Sequence, residues 1–73
     1  MSREELQILL ENSKVPSELY NLVGQGRDDE RFCLIQNGEQ WEVFFKERGV
    51  KTVDEVFSTE PEACQFIYEQ LVD

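Results

Sequence analysis

Histidine is absent from this chain, and basic residues are scarce. Seven lysines and arginines stand against 16 aspartates and glutamates in 73 residues, a formal charge of -9. Without histidine the chain lacks the commonest general base and the commonest metal ligand. No serine or cysteine therefore has an imidazole to activate it, which removes triad chemistry. The acid excess disfavours binding to phosphate backbones and to anionic membranes, and favours a basic partner. Only two cysteines are present, Cys33 and Cys64, with no CxxC spacing that would suggest zinc. No apolar run approaches the ~20 residues of a membrane span. Met1-Ser2-Arg3-Glu4-Glu5 has no signal-like apolar region, so the expected setting is cytoplasmic with both thiols reduced.

What is present argues for a folded chain. Hydrophobic residues make up 40% and aromatics 11%, too many for a disordered acidic segment. The length suits a single domain over 1–73.

Ser2 followed by Glu5 forms a capping box opening a helix over Arg3–Asn12, with Leu6, Leu9 and Leu10 on one face. Val15-Pro16 discourages continuation. One turn from Pro16, then an extended stretch through Tyr20 and Leu22, is expected next. Gly24–Glu30 is a polar loop; its bare GxG is no nucleotide fingerprint, because a strand-like run follows and not a helix. Asn37-Gly38 predicts a type I′ hairpin turn between Arg31–Gln36 and Glu39–Lys46. That register sets Leu34 opposite Trp41 and Phe32 opposite Val43. One sheet face then gathers Phe32, Leu34, Trp41, Val43 and Phe45. The other carries Cys33, Ile35, Gln40, Glu42, Phe44 and Lys46. Glu47-Arg48-Gly49 is a turn before a less regular strand over Val50–Phe57. Thr59-x-x-Glu62, with Pro61 in the first turn, predicts a final helix from Glu60 to Val72.

The expected fold is α+β and two-layered: a small antiparallel three- to four-stranded sheet, with an N-terminal and a C-terminal helix packed on one face. No cofactor or metal is expected. Asp28-Asp29-Glu30 lacks the alternating ligand spacing of a calcium loop and is read as a solvated charge run. Trp41 belongs to the apolar face, as core and not as a base-stacking platform. Partner binding is expected at Asp28, Asp29, Glu30, Glu39, Glu42 and Phe44, chosen on expected exposure. Phe44 and Ile35 have two readings: an interface anchor ringed by acids, or side chains covered by Ser17–Val23.

The runs Tyr20-Asn21-Leu22-Val23-Gly24, Trp41-Glu42-Val43-Phe44-Phe45, Glu47-Arg48-Gly49 and Phe57–Tyr68 resemble small bacterial immunity proteins encoded beside polymorphic or contact-dependent toxins. The resemblance implies a non-catalytic protein that binds a toxin domain in the cytosol and blocks it. Many such toxins are nucleases with basic surfaces. A small acidic adaptor or DNA mimic, acting on a nucleic-acid-binding protein, is the alternative. A third possibility is a structural domain or minor subunit pairing through the mixed sheet face. The chain itself would be a monomer or a weak homodimer.

Overall fold

Two helices and a four-stranded mixed sheet build the chain, and the computed structural model describes residues 1–72. Helix α1 spans Arg3–Asn12, a 3-10 turn covers Ser17–Leu19, and strand β1 is Tyr20–Asn21. Strands β2 (Phe32–Asn37), β3 (Gln40–Glu47) and β4 (Val50–Phe57) follow, then helix α2 (Glu60–Leu71). The sheet order is β1-β2-β3-β4. The α+β class matches the expectation. One strand departs from an all-antiparallel sheet, because β1 pairs parallel to β2, with Tyr20 opposite Phe32.

The first capping box is complete: Ser2 Oγ accepts from Glu5 N–H at 3.2 Å, and Glu5 accepts from Ser2 N–H at 2.8 Å. Helix α1 ends in a Schellman arrangement without its usual glycine. Lys14 adopts φ 61° and its N–H reaches Glu11 O at 3.0 Å, while Val15 N–H reaches Leu10 O at 3.0 Å. Val15 then packs on the core beside that turn. At the second helix Thr59 accepts from Glu62 N–H at 3.4 Å, and its hydroxyl donates to the Glu62 carboxylate at 2.9 Å. Glu60 does more than favour its own helix start. Its carboxylate accepts from Arg3 N–H at 2.9 Å, so one acid serves the first turns of both helices.

The hairpin register differs from the expected one by two residues. Leu34 faces Val43 and not Trp41, and Phe32 faces Phe45 and not Val43. The loop is Gly38-Glu39, with positive φ at Gly38 alone, the pattern of a II′ turn. Side-chain pairing outweighs the Asn-Gly preference. The shifted ladder adds an Asn37–Gln40 pair and stacks Phe32 on Phe45, with ring centroids 5.0 Å apart. Because the shift is even, every side chain keeps its expected face. The I′ signature falls on Arg48-Gly49, with φ 54° and 80°.

Leu34 and Val43 meet Leu6, Leu10, Tyr20, Leu22, Ala63, Cys64 and Ile67 in one buried cluster. Helix α2 contacts β2, β3 and β4, and α1 packs beside α2. Leu9, expected on the core face of α1, is 38% exposed; Leu6 and Leu10, one turn apart, carry the burial.

Three residues other than glycine hold left-handed backbone, Lys14, Glu30 and Arg48, and the helix end at Lys14 and the hairpin turn at Arg48 favour glycine or asparagine. Lys14→Gly and Arg48→Asn should each add about 0.5–1 kcal/mol of stability, read as a higher urea midpoint. Leu34→Ala should cost about 3 kcal/mol in the same measurement.

Candidate interaction surface

Strand β3 buries consecutive residues on opposite faces of the sheet. Val43 faces the helices and is fully buried; Phe44 faces away from them and is only 3% exposed. What covers Phe44 is mainly the 24–28 part of the loop between β1 and β2; of the expected Ser17–Val23 segment, Asn21 reaches the same place. A narrow crevice there is lined by Asn21, Gly24, Gln25, Gly26, Asp28, Cys33, Ile35 and Phe44. The loop is pinned to β3 at one residue. Lys46 Nζ binds Asp28 Oδ2 at 2.8 Å, and Lys46 O accepts from Glu30 N–H at 2.6 Å. Asp29 bridges the same residue, and Glu30 takes φ 58° at the return into β2. At the other end Asn21 holds the loop by its side chain. It donates to Gln25 O at 2.9 Å and Arg27 O at 2.7 Å, and accepts from Val23 N–H at 3.0 Å. This is an Asx-type clamp.

A register irregularity at Phe45/Lys46 sets the rest of this face. Phe45 pairs with Val53 and Lys46 with Lys51, so Thr52 bulges out and Lys51 turns to the outer side. Lys51 Nζ then lies 4.5 Å from the Phe44 ring centroid and 2.9 Å from Glu42 Oε2. Asn37 also donates to Glu42, at 3.3 Å. Asp54, opposite Phe44 on β4, brings its carboxyl up to that of Glu42. The hydrogen bond from Asp54, and then Lys51, hold Glu42 below its ordinary value; the same bond raises Asp54. Asp28 is lowered chiefly by its hydrogen bond from Lys46.

The six expected contact residues thus separate. Phe44 is the correction: it is covered, and it cannot serve as an exposed anchor while the loop is closed. Asp28 and Glu42 are matched by Lys46 and Lys51. Asp28, Phe44 and Glu42 come together along the outer face of β3, whereas Glu39 sits apart in the exposed hairpin turn. Asp29, Glu30 and Glu39 remain exposed, and the Asp29 carboxylate has a 3.8 Å contact with the exposed Arg27 guanidinium. Lys51 and Asp54 escaped sequence reasoning, because the bulge that aims Lys51 leaves no residue-type signal. Asp54 could have been placed from the alternation of β4 against Phe44.

Burial pushes both thiols up to about 11. Cys33 lies under the loop, with Sγ 3.6 Å from Asp28 O, and Cys64 lies in the helix-side core. Among the described residues no group of three or more acids or cysteines is placed to hold a metal ion, and no helix is long and apolar enough to cross a membrane. Compared with known proteins, the chain matches no family model, no curated protein and no solved structure.

Two outcomes follow from this geometry. Asp54 has a raised pKa when folded, so its contribution to stability is full below its ordinary 3.8 and is lost as pH rises through the raised value. Asp54→Asn keeps a donor for Glu42 without the second charge, and should raise the melting temperature at pH 7 while leaving it little changed at pH 3. Asp28 and Glu42 have the opposite sign: their contribution is lost as pH falls through their lowered values. For the thiols, reagent labelling of single-cysteine variants should modify Cys33 faster than Cys64, because Cys33 needs only the loop to open. Lys46→Met should speed Cys33 labelling selectively.

Proposed function

We propose that this chain is a non-catalytic binding protein, an immunity protein that neutralises a cognate bacterial toxin domain by direct contact in the cytoplasm. The observation that carries the reading is how little of the acid excess is consumed inside the fold. Among the described residues, Asp28, Asp29 and Glu42 are the acids within ion-pair distance of a lysine or arginine. Glu5, Glu60 and Glu62 serve helix starts. Much of the remaining negative charge of this -9 chain stands exposed. Such a surface attracts a basic partner over about one Debye length, about 8 Å at physiological ionic strength, and speeds encounter.

The DNA-mimic alternative needs acids spaced along one elongated face. Here exposed acids occur on α1 (Glu4, Glu11), α2 (Glu69), both hairpin turns (Glu39, Glu47) and β4 (Glu55). The molecule is a block of 29 × 28 × 21 Å. Both observations favour a protein surface that steers a basic partner over one that imitates a duplex.

Co-expression with the product of the adjacent upstream gene tests the proposal. That product should be toxic alone, and the two should co-purify with toxicity relieved. A toxic product that this chain neither binds nor neutralises would sink the idea. For the purified pair, the association rate should fall about tenfold or more between 50 and 500 mM salt, the order expected for steered binding. Asp29→Lys combined with Glu30→Lys should lower it further at low salt. A rate insensitive to both would show that acidity does not guide docking.

A further inference from the structure

The few cations of this chain are not evenly spread, and two of them line a cleft that the acidic surface does not explain. The cleft lies at the β1 edge, between α1 and the loop that follows β1, and has a volume of about 400 Å³. That is within the range of small-molecule sites. Tyr20 and Leu22 form its buried floor, Gln7 and Glu11 of α1 one wall, and Arg27 and Arg31 line it from the loop side.

Arg31 is the unusual member. Acids outnumber basic residues 16 to 7, yet Arg31 has no carboxylate within ion-pair distance among the described residues, and Arg27 has only the 3.8 Å contact with exposed Asp29. Arg31 Nε is shielded from water and has no hydrogen-bond partner, alone among buried side-chain nitrogens and oxygens of the described residues. A buried donor without a partner costs about 1–3 kcal/mol. Such a group calls for a physical explanation. Nε itself is closed to solvent, so an oxyanion would meet the outer Nη donors of the same guanidinium, which no carboxylate of the described residues engages; such a fork is well suited to an oxyanion. The wall of the cleft is also held in shape before any ligand arrives: Asn21 clamps Gln25 and Arg27 through the hydrogen bonds given above, and Gly24 and Gly26 take φ of 78° and 94°, which the turn requires. Glu11 is the one acid in the lining, and its charge acts on Tyr20. The ligand's anionic group therefore belongs at the Arg31 side of the cleft.

We propose that the cleft between α1 and the 22–31 segment binds a small oxyanion-bearing molecule, a carboxylate or a phosphate, through Arg31 with Arg27 assisting. The site is separate from the outer sheet face, and it stands or falls independently of the toxin-binding reading.

The test is amide and arginine side-chain NMR on the full chain, titrated in parallel with inorganic phosphate and with acetate at constant ionic strength. Saturable shifts at Leu22, Arg27 and the Arg31 Nε–H are expected, with dissociation constants of about a millimolar. Arg31→Gln should weaken binding about tenfold or more, equivalent to about 1.4 kcal/mol. Arg31→Lys, which keeps the charge but not the fork, should also weaken it. Arg27→Gln should have a smaller effect. The anion that saturates first identifies the ligand class. If Arg31→Gln unfolds, Arg31→Lys and Arg27→Gln still decide the matter. Shifts that never saturate, that spread evenly over the lysines, or that persist unchanged in the arginine variants would overturn the proposal.

Discussion

Phe44 must be kept from water on the side of the sheet that has no helix, and most of the molecule's particular features follow from that. Helix α2 and its neighbour α1 can cover only one face of β2–β4. Val43 satisfies that face, but the adjacent Phe44 points the other way and is nearly as deeply buried. A chain this short has no third layer of secondary structure to spare. A polar, glycine-containing loop does the covering instead. Loops bury poorly, because their backbone groups need partners. Asn21 supplies those partners at one end and Lys46 at the other. The β4 bulge then brings Lys51 over the remaining edge of the ring.

That arrangement decides where the positive charge goes. Lys46 and Lys51, two of only seven basic residues, are committed to holding the loop and shielding Phe44. Their pairing neutralises Asp28 and Glu42 locally and leaves Asp54 as the surplus acid beside Glu42. The negative field presented to a partner therefore comes less from the middle of the outer face than from its borders: the loop crest at Asp29 and Glu30, and the hairpin tip at Glu39. A docking partner that reached Phe44 would first have to displace Asp28 from Lys46. Exposed pairs of this kind are individually weak, so the loop can cover the ring without being locked over it.

The helices and the division of side chains between the two faces were legible in the sequence, since caps and alternation are local signals. Ser2–Glu5 and Thr59–Glu62 opened helices where the residues said they would. The alternation of β2 and β3 placed Leu34 and Val43 inward whichever even register was adopted. The turn was misread because Asn-Gly is a preference worth little beside the stacking of Phe32 on Phe45 and one more ladder pair, both of which are longer-range. The cover on Phe44 was invisible for a similar reason. GQGRDDE reads as solvated loop, and nothing in its composition says that it folds back onto a phenylalanine fourteen or more positions away. Arg31 was read simply as the start of a strand, and only the geometry shows its Nε without a partner.

The loop has two sides, and this links the two surfaces. Its inner side covers Cys33 and Phe44; residues of the same segment, Gln25 and Arg27, line the cleft at the β1 edge. Asn21 touches both, because it pairs with β2 opposite Cys33 and clamps the backbone that carries Arg27. Any contact that favours the clamped loop on one side favours it on the other, since both require the same backbone conformation. Occupancy at Arg31 would thus reinforce the cover on Phe44, and a partner that pulled Asp28 away from Lys46 would loosen the cleft. The coupling is limited by the loop's own opening free energy, because a ligand can shift that equilibrium only by the difference in its affinity for the two states. A short segment held at Asn21 and at Lys46, with no secondary structure between them, is where such an equilibrium is easiest to move.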